Sequence, residues 1–181
     1  MIIEGVFKNK FTQIPGTFIN FVELLELCYC FPRVPPQKLK TMVYVIRKEH
    51  FNAAHRLFNP AWTEEKNQAV FGPCANNNWH GHNFELIVTV KGIPDPETGF
   101  SYDLKQLGDL IKSEIIDKVD HKNLNLDVDF MEGKLASCEI LVMEFWKILA
   151  PKILATSKSA TLHKIHLIET NKNSVEYFGE N

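Results

Sequence analysis

The segment His80-Gly81-His82-Asn83-Phe84-Glu85-Leu86-Ile87-Val88-Thr89-Val90-Lys91 alternates in a way that limits what the rest of the chain can build. Phe84, Leu86, Val88 and Val90 fall on one side, and Glu85, Thr89 and Lys91 on the other. Strand side chains point to opposite faces in turn, so this is a strand with one packed face and one open face. The same alternation puts His80 and His82 on the apolar side. Two imidazoles there need partners, because a buried polar nitrogen without one is costly. A zinc ion is one such partner, since neutral imidazole is a preferred ligand and His-x-His on a strand brings two nitrogens to one ion. A pair of hydrogen-bonded or exposed histidines is the other reading. Gly81 leaves room for a close approach.

The flanking segments supply the remaining layers. Val43-Tyr44-Val45-Ile46, running on to Phe51-Asn52-Ala53-Ala54-His55, has strand composition, and antiparallel pairing would bring His55 beside His80 and His82. Thr63 caps a short helix to Val70, with Glu64 and Glu65 in its first turn. A turn over 92–99 leads into a short strand at 100–102. Asp103 and Gln106 resemble a capping box, and Leu104, Leu107, Ile111 and Ile115 predict a helix to about Val119. A second helix starts at Ser137, buries Leu141, Phe145, Ile148 and Leu149, and ends around Pro151 or a few residues later. Strands over 161–169 and 174–178 are joined by the turn Thr170-Asn171-Lys172-Asn173. This order predicts an α+β fold with an antiparallel sheet.

Composition narrows the class of function. The 181 residues carry 20 Lys+Arg against 22 Asp+Glu, a formal charge of -2, so a nucleic-acid backbone is excluded as main partner and a small molecule is favoured. The cysteines at 28, 30, 74 and 138 do not form a disulfide framework, which suits a reducing, cytoplasmic setting. The most apolar run, Phe18 to Phe31, contains Glu23 and Glu26 and is too short to span a bilayer. It lacks a basic flank and a cleavage site, so it is not read as a secretion signal. Residues 1–41 read as an N-terminal extension ending in a Pro-rich stretch, with a docking helix over 18–30 as the alternative, and 42–181 as the working domain.

Three further places carry chemistry. Cys74 is either a fourth metal ligand closing a structural site or a free thiol beside an open coordination position. The adjacent pair Asp120-His121 can relay protons, or can be a solvated loop at a helix end. Glu169 shares a strand face with Ile165 and Leu167, and a carboxylate there is satisfied by a ligand edge offering two adjacent N–H donors. His163 and His166 read as sheet residues.

Together, Phe51-Asn52-Ala53-Ala54-His55-Arg56-Leu57, Phe71-Gly72-Pro73-Cys74, His80-Gly81-His82-Asn83, Asp120-His121-Lys122-Asn123-Leu124 and Glu169-Thr170 resemble the 6-pyruvoyltetrahydropterin synthase family. That family also contains the bacterial 6-carboxytetrahydropterin synthases of queuosine biosynthesis. The resemblance implies a tunnelling fold (T-fold), an antiparallel four-stranded sheet with two helices on one face. It further implies that sheets oligomerise into a barrel, that two trimers make a homo-hexamer, and that active sites lie between subunits. By the same resemblance His55, His80 and His82 are zinc ligands and Cys74 is a catalytic base rather than a ligand. Asp120 and His121 are the proton relay, Glu169 anchors the pterin, and Ser137 and Cys138 are pterin-side contacts. The implied reaction is a lyase reaction on 7,8-dihydroneopterin triphosphate in tetrahydrobiopterin-type biosynthesis. The five residues between Cys74 and His80, and the turn Pro94-Asp95-Pro96-Glu97-Thr98-Gly99, resemble the pyruvoyl-forming enzymes. The carboxy product is the alternative, and a non-catalytic pterin-binding protein is the rival from another class. A hydrolase built from Cys74 and His121 lacks an oxyanion-hole motif.

Overall fold

The computed structural model describes residues 41–157 and 159–179. The reading of 1–41 as an extension, with its alternative docking helix, falls outside these residues apart from Thr41. Two long strands form the frame: β1 (Val43–His55) and β2 (His80–Gly92) pair antiparallel along their whole length, from Val43 opposite Gly92 to His55 opposite His80. β3 (Lys122–Asn123) adds a two-residue parallel rung to β1, β4 (Ala160–Ile168) pairs antiparallel with β2, and β5 (Ser174–Tyr177) with β4. The order is β3-β1-β2-β4-β5, so the expected four antiparallel strands are present and β3 is an addition.

Each helix starts where the sequence places its cap. Thr63 accepts the N–H of Lys66 ahead of α1 (Glu64–Phe71). Asp103 accepts the N–H groups of Lys105 and Gln106 ahead of α2 (Leu104–Ile111), and Ser137 accepts that of Ile140 ahead of α3 (Cys138–Thr156). These bonds satisfy donors that have no partner within the helix. α3 runs past Pro151 to Thr156, because Ile153 beyond the proline is fully buried. The expected strand at 100–102 does not form. Asp95 instead organises that loop, accepting the N–H groups of Glu97 and Thr98 on Oδ1, while its own N–H reaches the carbonyl of Phe100 (2.9 Å).

α2 continues through a π turn at Lys112–Ile116 and closes with Asp117–Val119. The cause lies in the spacing of its buried side chains. Leu107, Ile111, Ile115 and Val119 are all 0% exposed and follow at steps of four residues. Twelve residues of α-helix from Leu107 to Val119 overshoot three whole turns by about 120°. A π turn absorbs one extra residue, about 100°, so the four side chains stay on one stripe.

That stripe packs on the inner face of β1, and α3 packs on β4 and β5. Phe51 and Phe84 stack at 4.8 Å across the β1–β2 pair, with Phe145 of α3 edge-on to Phe51 at 6.2 Å. Burying each such side chain contributes about 1.5–3 kcal/mol, and truncating Phe84 to alanine would cost about 3–5 kcal/mol. At the strand ends Phe84 also meets the rings of His55 (5.9 Å) and His82 (5.6 Å), so the histidines adjoin the core. No helix among the described residues is long and apolar enough to cross a membrane.

Candidate metal centre and active-site cavity

The β1–β2 register sets His55 directly opposite His80, and Ala53 opposite His82. All three imidazoles therefore leave the same face, with ring centroids 4.5 Å (His55–His80), 5.2 Å (His55–His82) and 5.0 Å (His80–His82) apart. Each offers a nitrogen within 4.8 Å of the others. Gly81 makes this approach feasible, since a Cβ there would sit 3.0 Å from the carbonyl oxygen of Ala53.

The protonation of the cluster follows from its surroundings. His55 Nδ1 lies 2.8 Å from the carbonyl oxygen of Ala136, which can only accept, so the proton sits on Nδ1 and Nε2 presents its lone pair. His55 Nε2 and both ring nitrogens of His80 are buried with no hydrogen-bond partner. Burial, reinforced by the neighbouring histidines, pushes the His55 imidazolium below its ordinary range against the pull of the Ala136 carbonyl. Burial, then His82, does the same to His80. The orphaned nitrogens of His55 and His80, with a His82 nitrogen within 4.8 Å of theirs, fit a zinc ion with three protein ligands and an open position.

Beside the triad lies a cavity of about 460 Å³, lined by His55, Cys74, Ser137, Cys138, Glu169 and Lys172 among others. Cys74 reaches it from a 3₁₀ turn, Gly72–Ala75, tied to the end of β1. Leu57 N–H donates to the Cys74 carbonyl (2.8 Å), and Arg56 Nε to that of Ala75 (2.7 Å). Cys74 lines the cavity but stands outside the ligand cluster, which comprises only the three histidines among the described residues. Glu169 places Oε1 3.7 Å from His55 Nε2 and 3.7 Å from His82 Nε2. The same oxygen accepts the Cys138 S–H at 3.4 Å. Burial and then the Glu169 charge push the Cys138 thiol strongly up, so it stays protonated. Ser137 spends its hydroxyl oxygen as the α3 cap.

Asp120 and His121 are built as a unit, but elsewhere. Asp120 Oδ1 accepts the backbone N–H of Asn52 (2.8 Å), His121 N–H donates to the Asn52 carbonyl (2.6 Å), and Asp120 Oδ2 lies 2.9 Å from His121 Nδ1. The Asn52 N–H, then His121, hold the Asp120 carboxyl below the usual carboxylate range. His121 lines a second cavity of about 440 Å³ with Asn52, His82, Asn83 and Asn123, and no residue lines both cavities. Within one chain, then, the fold gathers seven of the expected residues at the metal centre and first cavity, and sets the relay pair apart.

Two structural details had no residue-type signal. Ala136 orients His55 through its main chain, and Asn52 holds the relay through both of its backbone groups. Among the described residues only Trp79 (φ 63°) and His121 (φ 58°) combine a side chain with left-handed backbone. Each sits beside this machinery, as local strain often does at functional sites.

Comparison with known proteins agrees with this arrangement. Residues 44–180 match the family described as 6-pyruvoyl tetrahydropterin synthase. The chain is 37% identical over 136 residues to 6-pyruvoyl tetrahydrobiopterin synthase of Homo sapiens, covering 75% of this chain and 91% of that one. It is 33% identical over 138 residues to the Drosophila melanogaster protein of the same name, covering 76% and 80%. The solved structure of Caenorhabditis elegans 6-pyruvoyl tetrahydropterin synthase superposes with a TM-score of 0.68 at 32% identity, covering 78% of this chain and 99% of that one. With a T-fold sheet, a histidine triad at its strand ends and a match across nearly all described residues, this chain belongs to the 6-pyruvoyl tetrahydropterin synthase family.

Proposed function

We propose that residues 42–181 form a zinc-dependent lyase that converts 7,8-dihydroneopterin triphosphate to 6-pyruvoyltetrahydropterin with loss of triphosphate. The observation that carries the assignment is the histidine triad, with three buried unpartnered nitrogens, opening beside a cavity that holds both a free thiol and a carboxylate. His55, His80 and His82 would hold the ion. When bound, zinc supplies Lewis acidity toward oxygen ligands at its open position.

The chain's own residues divide the remaining work. The Glu169 carboxylate accepts two N–H bonds from the amino-pyrimidine edge of the pterin, a bidentate match that fixes the ring. Ser137 and Cys138 form the wall against which it lies. Cys74, as thiolate, takes a proton from a side-chain carbon, and triphosphate leaves with the electron pair of the broken C–O bond. Tautomerisation returns protons to the side chain and the ring. Ring reduction and side-chain oxidation are thereby internal, and no outside redox partner is needed. His121, with Nδ1 held by Asp120, uses Nε2 for the second set of transfers. Because His121 faces a separate cavity and Asp120 is held to it, we infer that a second copy of the chain presents its pair to the cavity of Cys74. A homo-hexamer of two trimers, with sites between subunits, meets that requirement.

The test is product analysis by mass spectrometry after incubation with 7,8-dihydroneopterin triphosphate. Formation of 6-pyruvoyltetrahydropterin with stoichiometric triphosphate is expected. Release of acetaldehyde with 6-carboxytetrahydropterin would assign the alternative reaction. Pterin binding without triphosphate release would reduce the protein to a binding module.

A further inference from the structure

Glu169 follows directly on the last residue of β4, and its backbone is firmly held. Its N–H donates to the Asn173 carbonyl (3.1 Å), and Thr170 Oγ1 accepts the N–H groups of Lys172 (3.3 Å) and Asn173 (3.1 Å), closing the hairpin to β5. The side chain is less constrained, since a Glu carboxylate ends three rotatable bonds from that backbone. It reaches across to the first turn of α3, where Cys138 Sγ donates to Oε1 at 3.4 Å. Among the described residues Cys138 is the one side chain that hydrogen-bonds this carboxylate.

The surroundings explain what that bond decides. Oε1 lies 3.7 Å from the ring nitrogens of both His55 and His82, close enough to turn toward them or toward an ion they hold. A carboxylate turned that way no longer lies in the plane needed for two parallel N–H bonds from a ligand. The thiol, on the helix side, holds Oε1 back from that turn. As a weak donor it does so without exhausting the acceptor capacity of the carboxylate.

We propose that Cys138 is a positioning residue: its S–H fixes the Glu169 carboxylate between α3 and the histidine triad, and so sets the affinity of the cavity for the pterin edge. This rests on the reading of Glu169 as the pterin anchor, and it gives Cys138, as part of the cavity wall, a task exercised through Glu169 rather than in the reaction.

Binding is read on metal-loaded protein by fluorescence titration with 7,8-dihydroneopterin, which lacks the triphosphate. Cys138→Ala is expected to weaken binding about fivefold, the scale of one modest hydrogen bond. Cys138→Ser, which keeps a donor, stays within about twofold of the parent. KM of the alanine variant rises by the same factor with kcat and zinc content unchanged. A purely structural role would lower the melting temperature of both variants without this split. Equal binding by Cys138→Ala and the parent, or equal loss in the alanine and serine variants, overturns the proposal.

A second measurement separates this claim from the reading beneath it. The infrared S–H stretch, taken as the difference between parent and Cys138→Ser, is expected to shift to higher frequency in Glu169→Ala. An unshifted band overturns the Cys138–Glu169 bond even if pterin binds. Absence of pterin binding by the parent, with the shift present, overturns the anchor reading instead.

Discussion

Replacing Asp120 by Asn tests the relay at the atom where it acts. Both carboxylate oxygens are committed: Oδ1 accepts the Asn52 N–H at 2.8 Å and Oδ2 lies 2.9 Å from His121 Nδ1. An Asn side chain must keep its oxygen on the Asn52 N–H, because two donors cannot face each other. Its NH₂ then points at His121 Nδ1, which must become the acceptor, and the imidazole proton moves to Nε2. The nitrogen that should present a lone pair to the substrate no longer does. General acid–base catalysis is worth about a hundredfold to ten-thousandfold, so kcat should fall by that range while zinc content holds. The structural cost is small: a charge-assisted bond becomes a neutral one, about 1 kcal/mol before solvent screening of a group 35% exposed, or about 2–4 °C in Tm. The pH dependence has a definite sign. With its folded pKa depressed, Asp120 contributes stability above its unfolded value of about 3.9, and that contribution is lost as pH falls through the lower folded value. Asp120→Asn should therefore show a flatter acid limb in thermal denaturation. Nitrogen-15 NMR of His121 reads the tautomer directly. Activity within threefold of the parent, with the proton still on Nδ1, would refute the reasoning.

Three other outcomes follow from named contacts. Adding zinc to chelator-treated protein should raise Tm by roughly 5–10 °C at a hundredfold excess over Kd, read by scanning calorimetry. His80→Ala should abolish that rise, and a metal-independent Tm in the parent would dispose of the triad as a metal site. Gly81→Ala sets a Cβ 3.0 Å from a backbone oxygen that has little freedom to move, so it should cost about 1–3 kcal/mol and weaken zinc binding in a chelator competition. Deleting Ser113, an exposed residue whose hydroxyl bonds the Leu110 carbonyl, leaves the buried stripe of α2 at steps of four, three and four residues. That spacing suits a regular α-helix to within about 20°, so Tm should stay within about 2 °C of the parent, and a misfolded deletion variant would contradict the account of the π turn.

The parts of the fold written in alternation and capping were legible in the sequence, because those signals are local. Phe84, Leu86, Val88 and Val90 announced β2 and its packed face, and Thr63, Asp103 and Ser137 each cap the helix they precede. The triad was legible for the same reason, since antiparallel pairing of two such strands leaves little choice about where His55 falls. The four-residue steps in α2 were visible too, yet they fit an α-helix over any single pair, and only their sum reveals the π turn. The strand expected at 100–102 failed because Asp95 satisfies the loop internally, a competition that pattern alone does not decide. Main-chain contributions were invisible: nothing about an alanine at 136 shows that its carbonyl will orient a metal ligand.

The separation of Cys74 from Asp120-His121 has a single structural origin. Both sides depend on the last four residues of β1. His55 leaves the inner face toward the first cavity, while Asn52, three residues earlier, turns its N–H and carbonyl outward from the sheet edge to grip Asp120 and His121. The two-residue β3, pairing at Ala53 and Ala54, locks that grip between them. One strand end therefore positions both His55 of the triad and the Asp120–His121 pair. In the proposed reaction they would be joined by a second copy whose own strand end presents its Asp120–His121 pair to the first cavity. That grip also holds His121 in left-handed backbone, a conformation costly for a residue with a side chain and kept only where its surroundings fix it.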